Sequence, residues 1–162
     1  MTNTDQHEFY RLLISQAAAL TEEEPLVIPN LSNTAALLGQ SLSDINWAGY
    51  YLLRDGILVL GPFWGQPACI RIALGKGVCG TAAALDRVQC VKDVHAFPGH
   101  IACDSRSRSE IVIPIHHDGK VVGVLDIDSP RLARFDDADA QELRAFVSIL
   151  ENNCDWAGFR MS

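Results

Sequence analysis

Apolar positions recur with two different periods along this chain, and the alternation between the periods lays out an order of elements. From about Asp5 to Leu20, the residues Phe9, Leu12, Leu13, Ala17 and Leu20 fall on one helical stripe. A second stripe of Leu31, Ala35, Leu38 and Leu42 follows Pro25 and Pro29, the latter tolerable only near a first helical turn. Ile45 to Leu53 is rich in aromatic and aliphatic residues and reads as a strand; Asp55-Gly56 then supplies the positive φ of a tight hairpin before Ile57 to Phe63. Pro62, Gly65 and Pro67 interrupt the pattern. A short strand is expected over Ala68 to Ala73, and Gly75, Gly77 and Gly80 bracket a turn into a small helix, Thr81 to Leu85.

Lys92 to Ser109 has little apolar periodicity and reads as a long loop, a kind of segment that is uncommon in compact domains and often functional. Ile111 to Ile115 and Lys120 to Asp128 flank Asp118-Gly119 as a second hairpin. The closing helix is capped by Asp136 and carries Leu143, Phe146, Val147, Leu150 and Cys154 on one face. Helices at both ends enclosing antiparallel hairpins predict an α+β fold, one sheet with helices packed against it, in a single domain spanning residues 1–162. There is no repeat or low-complexity segment.

Composition narrows the function. With 48% apolar and 20% charged residues, and no run near the roughly 18 apolar residues of a membrane span, the chain should be soluble. Met1 to Glu8 lacks a secretory pattern, so a cytoplasmic location is expected. A net charge of -7 and the lack of Lys/Arg runs argue against nucleic acid and favour a small zwitterionic or cationic ligand. Five cysteines without an export signal suggest reduced thiols used for redox chemistry or metal binding.

Thiol reactivity follows thiolate fraction and exposure, which singles out Cys103 in the polar loop, with His95 and His100 before it and Arg106 and Arg108 after it. A lone cysteine is ordinarily a buried spectator, but this one has company. Cys69, in the short strand, and Cys79, in the glycine turn, both flank irregular backbone, although each also suits a plain packing position. Cys90, in an apparent strand, and Cys154, on a helix stripe, read as structural. His95, His100, Cys103, His116 and His117 lie close in sequence, yet no Cys-x-x-Cys pair or helical His-x-x-x-His supports zinc; His116 and His117 read as strand-end residues near a turn.

Asp126 and Asp128, two apart on a strand, point to one sheet face beside Val122 and Val124. Two acids on an aliphatic face are costly to bury unless something satisfies them, and their repulsion raises one pKa, so the pair can donate a proton or hold an ammonium group. The plainer alternative is a solvated strand end. An ideal two-residue turn at Asp118-Gly119 would place Glu110 across from Ile127, facing away from the aspartates; a bulge would reverse that, and Pro114 is consistent with an irregular edge, so the register stays open. Trp47 and Tyr51 share a strand face and could wall an apolar pocket around a methyl group, although core packing is the commoner fate of such a pair.

The run Gly75-Lys76-Gly77-Val78-Cys79-Gly80-Thr81-Ala82, then Asp93-Val94-His95, Pro98-Gly99-His100-Ile101-Ala102-Cys103-Asp104 and Ser107-Arg108-Ser109-Glu110, resembles the free methionine-(R)-sulfoxide reductases, which are single GAF domains. The resemblance extends from Asn46-Trp47-Ala48-Gly49-Tyr50-Tyr51 through Val124 to Ser129 and into the last helix; GAF domains that bind cyclic nucleotides or chromophores lack this cysteine set. It implies a GAF-like antiparallel sheet with N- and C-terminal helices packed against it. It further implies Cys103 as nucleophile, Cys69 as its resolving partner in a redox disulfide, and Cys79 as a third cysteine able to form disulfides. Glu110, Asp126 and Asp128 would engage the sulfoxide and the amino group, with Trp47 and Tyr51 around the methyl, which argues for an irregular register at Glu110. Cys90 departs from the family pattern, where an aliphatic residue is usual, and Cys154 is not a motif position.

Together these features imply a thiol reductase for free L-methionine-(R)-sulfoxide, the R preference coming from the resemblance alone. A Cys103 thiolate would attack sulfur while Asp128 or Glu110 supplies a proton; the resulting sulfenic acid condenses with Cys69, and thioredoxin reduces the disulfide. No metal or organic cofactor is needed. GAF domains commonly dimerise through their helices, which makes a homodimer the assembly to test. The rival is a GAF sensor module that binds a small molecule or reports oxidation without turnover; sensors usually sit beside an output domain, and these 162 residues leave none for one. A third reading, a partner-binding domain with incidental cysteines, predicts that Cys103 is dispensable.

Overall fold

A computed structural model of the chain describes residues 3–101 and 103–159. The two N-terminal stripes form helices α1 (Asn3–Thr21) and α2 (Val27–Ser41), with Pro29 inside the first turn of α2, where its missing N–H has no helical partner to lose. Two strands follow, β1 (Trp47–Arg54) and β2 (Ile57–Gly65), then the short β3 (Arg71–Ala73), helix α3 (Gly77–Leu85) and the short β4 (Gln89–Val91). A 3-10 turn at Val94–Ala96 interrupts the long loop, and β5 (Ser109–His117), β6 (Lys120–Ser129) and α4 (Asp137–Asn153) complete the chain. The strands make one antiparallel sheet in the order β3-β2-β1-β6-β5-β4, the expected α+β architecture. No helix among the described residues is long and apolar enough to cross a membrane.

Asp55-Gly56 and Asp118-Gly119 all have positive φ, between 48° and 78°, the two-residue hairpin turn that matches strand twist. Period-two alternation divides the sheet into two faces. Ala48, Tyr50 and Leu52 of β1, Ile111, Ile113 and Ile115 of β5 and Leu125 and Ile127 of β6 pack against α1, α2 and α4 in the main core. Trp47, Tyr51, Val112 and Val124 point the other way and meet Val78, Cys79 and Ala82 of α3.

Several expectations are corrected. On α1 the buried residues are Tyr10, Leu13, Ala17 and Thr21, whereas Leu12 and Leu20 are 60% and 45% exposed. The inward face is chosen by polar-tipped residues that an apolar count passes over: Tyr10 donates to Asp139 Oδ1 (2.6 Å), and Asn153 donates to Thr21 Oγ1 (2.8 Å). The third strand is shorter than Ala68 to Ala73, and Cys69 lies in irregular backbone before it. Helix α3 starts at Gly77, so Cys79 sits in its first turn; Gly80 continues the helix where a side chain would strike the Ala73 carbonyl. The second strand runs through Pro62 to Gly65, because a bulge between Leu60 and Phe63 takes up the proline.

The register of β5 on β6 matters most. His116 pairs with Val121 but Ile115 with Gly123, so Val122 is an extra residue. That shift sets Glu110 opposite Asp128 and Val112 opposite Asp126, bringing Glu110 onto the face of both aspartates, and it moves Val122 to the helical core, away from Val124. Strand β5 is internal only over Glu110–Val112, the residues that β4 pairs, so Pro114 falls beyond the ladder it would otherwise break.

Helix α4 is fixed by a capping box. Asp136 accepts from the Asp139 N–H (2.9 Å), and Asp139, itself buried, accepts from the Asp136 N–H (3.1 Å), Tyr10 and Gln6 while lying 3.5 Å from Arg134. Asp139→Ala removes the reciprocal cap and strands the Tyr10 hydroxyl, and is expected to lower the unfolding free energy in urea by about 2–4 kcal/mol with little change in far-ultraviolet dichroism of the native state.

Candidate active site

The sheet face opposite the three long helices is a cavity of about 520 Å³, including its solvent-open mouth. Its floor comes from three adjacent strands: Trp47 and Tyr51 of β1, Asp126 and Asp128 of β6 and Glu110 of β5. Cys79 and Val78 of α3 close one side. Pro67 and Ala68, with Cys103, His100, Ile101, Asp104 and Ser107 of the long loop, form the rim.

Cys69 and Cys103 are joined by a disulfide with Cα atoms 5.6 Å apart, both half-buried. The segment carrying Cys69 is tied to the aromatic floor: Tyr51 donates from its hydroxyl to the Cys69 carbonyl (2.9 Å), and Trp47 from Nε1 to the Gln66 carbonyl (3.1 Å). These bonds draw Gln66–Cys69 away from regular strand geometry. Trp47 stacks between Tyr51 (6.0 Å) and Phe63 (5.3 Å), and Gly49 between them must stay bare, since a Cβ there would come 2.7 Å from the Trp47 ring.

On the other rim, Asn46 donates to Asp104 Oδ2 (3.0 Å) and to Ser107 Oγ (3.1 Å), while Arg106 pairs with Asp104 at 2.8 Å. The Arg106 bonds hold the Asp104 carboxyl down to about 2, so it stays ionised at a pH where Glu110 and Asp128 keep their protons. Arg106 is thereby occupied with Asp104, and of the four residues flanking Cys103 as thiolate stabilisers only His100 lines the cavity. His100 Nε2 lies 4.0 Å from Glu110 Oε2, and burial, then the neighbouring His95, keeps its pKa below the ordinary value.

Glu110 and Asp126 are each 6% exposed, and Asp126 Oδ1 has no hydrogen-bond partner. Burial first, then the charges of Asp126 and Asp128, pushes Glu110 well above the carboxylate range; burial and Asp126 do the same to Asp128. Burial lifts Asp126 itself to about 6, moderated by bonding to Glu110 and Cys79. The Cys79 thiol, 3.9 Å from Glu110 Oε1, is also raised by burial and by the Asp126 and Glu110 charges, and is a neutral thiol at pH 7. A face with three acids that cannot all ionise is both a proton source and a cation receptor.

The structure therefore gathers Cys103, Cys69, Cys79, Glu110, Asp126, Asp128, Trp47 and Tyr51 around one cavity. Of the histidines considered with Cys103 for zinc, His95 and His100 lie together, 6.2 Å between ring centroids, with His100 lining the cavity, whereas His116 bridges Asp86 and Glu151 at the far end of β5 and His117 faces Asp118. Among the described residues a different trio, Cys79, Glu110 and Asp126, places potential ligand atoms within 4.8 Å of one another. Cys90 donates toward the Phe135 carbonyl, and Cys154 accepts from Asn30, both away from the cavity. Sequence reasoning missed Ser107, Asp104 and Asn46. The Asp104-x-Arg106 turn, in which Asp104 accepts the Arg106 N–H (2.9 Å), was the available signal.

The GAF domain family matches residues 30–153. The chain is similar to the free methionine-R-sulfoxide reductase of Escherichia coli (strain K12), 54% identical over 144 residues that cover 89% of this chain and 87% of that one. It is similar to protein YtsP of Bacillus subtilis (strain 168), 56% identical over 149 residues covering 91% of each. Its fold superposes on the fRMsr of Staphylococcus aureus in complex with substrate at a TM-score of 0.86, with 56% identity over 89% of this chain and 94% of that one.

The raised Asp126 pKa has a measurable consequence. The folded protein holds this proton more tightly than the unfolded chain, so its contribution is full below the unfolded value near 3.9 and is lost as pH rises through about 6. Asp126→Asn is expected to be the more stable protein at pH 7 by about 1–3 kcal/mol, with the advantage shrinking toward pH 4. Denaturant unfolding of the oxidised protein across pH 4 to 7.5 tests this; a pH-independent difference would refute it.

Proposed function

This chain belongs to the GAF domain family and, within it, to the free methionine-R-sulfoxide reductases; from that premise we propose that it reduces free L-methionine-(R)-sulfoxide to methionine with Cys103 as the attacking thiolate. The observation that carries the reading is the meeting, in one cavity, of the Cys69–Cys103 pair with two carboxyl groups, Glu110 and Asp128, whose burial keeps protons on them. A sulfoxide reductase needs both, a sulfur nucleophile and a proton for the departing oxygen.

In the reduced enzyme the Cys103 thiolate attacks the sulfoxide sulfur while Glu110 or Asp128 protonates the sulfoxide oxygen. Methionine leaves, and the oxygen remains on Cys103 as a sulfenic acid. The Cys69 thiol attacks that sulfur, the disulfide forms and water departs. A dithiol, thioredoxin in the cytosol, then restores both thiols. The sum is one sulfoxide and two thiols giving one sulfide, one disulfide and one water. The Cys69–Cys103 disulfide, with Cα atoms 5.6 Å apart, supports Cys69 as the resolving residue.

Specificity follows from the same surfaces. Trp47 and Tyr51 offer an apolar wall to the methyl group, and the unpartnered Asp126 oxygen offers an acceptor to the ammonium group. An amino group blocked in a peptide cannot neutralise that acid, so methionine sulfoxide within a protein is a poor substrate.

In an assay coupling NADPH, thioredoxin reductase and thioredoxin, the free R epimer is expected to drive NADPH consumption, and the S epimer and N-acetylated sulfoxide are not. Cys103→Ser should abolish turnover, and a Cys103→Ser protein that still turns over would overturn the assignment. Cys69→Ser should release about one methionine per chain and then stall. Glu110→Gln removes a proton donor that must also recharge, and kcat is expected to fall by about 10²–10⁴ with a smaller change in KM.

A further inference from the structure

We propose that Cys79, Glu110 and Asp126 form a binding site for a soft divalent cation, Zn²⁺ or Cd²⁺, whose occupancy blocks the reductase by taking the place of the substrate's ammonium group. The blocking half rests on the function proposed above; the binding half stands on the geometry alone.

The three ligand atoms lie within 4.8 Å of one another, and the Cys79 Sγ to Glu110 Oε1 distance is 3.9 Å. A tetrahedral zinc ion with metal–sulfur and metal–oxygen distances of about 2.3 and 2.1 Å sets such ligands about 3.6 Å apart. Small side-chain adjustments therefore bring the trio to coordination distance. The second observation is the buried, unpartnered Asp126 Oδ1, an acceptor awaiting a positive partner on the cavity floor.

Charge favours the same occupant. Among the described residues Asp126 and Asp128 have no Lys or Arg in an ion pair, Glu110 has only His100 at 4.0 Å, and Arg106 is occupied by Asp104. A divalent ion with one thiolate and two carboxylates leaves a net charge of -1 where three deprotonated groups alone would leave -3. Binding displaces the thiol proton and whatever protons the two carboxyls carry, with no change of oxidation state. Three protein ligands leave a fourth position for water, facing the cavity. The thiol selects soft over hard cations, so Mg²⁺ and Ca²⁺ have no advantage here.

The oxidised protein isolates the site, because Cys69 and Cys103 are then joined and Cys79 is the thiol left in the cavity. Cd²⁺ titration of oxidised protein, followed by thiolate-to-metal charge-transfer absorption in the ultraviolet, is expected to give one ion per chain. The band should persist in the Cys90→Ser/Cys154→Ser protein, vanish in Cys79→Ser, and need at least tenfold more Cd²⁺ in Asp126→Asn. Absence of the band in the parent, its survival in Cys79→Ser, or unchanged affinity in Asp126→Asn overturns the site. In the Cys69→Ser/Cys103→Ser protein, which keeps Cys79 but cannot close the rim disulfide, free methionine sulfoxide should lower the Cd²⁺ band in competition. A band that obeys the variants but ignores the sulfoxide overturns the blocking half and leaves the cation site standing.

Discussion

One extra residue in a hairpin decides which side chains meet in the cavity. Without the bulge at Val122, period-two geometry would send Glu110 into the helical core and leave Asp126 and Asp128 as an ordinary pair. With it, three carboxyl groups meet on one face of the sheet, none able to ionise freely, and the repulsion among them is the property on which the proposed chemistry draws. The arrangement costs folding free energy, and that cost is offset elsewhere.

The offset is on the opposite face. There, β1, β5 and β6 present an almost unbroken set of apolar residues to α1, α2 and α4, and the tyrosines that enter this layer are paired, Tyr50 with Thr34 (2.8 Å) and Tyr10 with Asp139, while Asn30 Oδ1 is left without a partner among the described residues. The same three strands thus carry a conventional core on one side and an unsatisfied acidic floor on the other. Helix α3 and two irregular segments cover the second side only partly, which leaves room for a ligand.

Much of this was legible in the sequence. The Asp-Gly turns, the Asp136 cap and the alternation that puts Asp126 and Asp128 together are local signals with a direct physical cause. The register of Glu110 was not, because Val122 looks like any strand valine and a bulge needs no glycine or proline to announce it. Cys69 looked like a strand residue for a similar reason: Ala68 to Ile72 has strand composition, and only the distant Tyr51 and Trp47 bonds pull its first half out of the ladder. Polar residues that orient the rim, Asn46 and Ser107, join segments about sixty residues apart, a separation at which no periodicity speaks. The pairing of Cys69 with Cys103 entered through family resemblance, since five cysteines and their spacing do not choose a partner.

The disulfide spans two segments that both belong to the cavity rim, so on the proposed chemistry closing it also alters the entrance through which substrate came. Reduced and oxidised enzyme are then different receptors: one accepts a sulfoxide, the other a dithiol, and neither partner has a use for the form that suits its rival. Turnover becomes a strict alternation, a ping-pong cycle in which the two co-substrates never share the protein. The cell's supply of reductant and its load of oxidised methionine consequently act on separate populations of the same molecule.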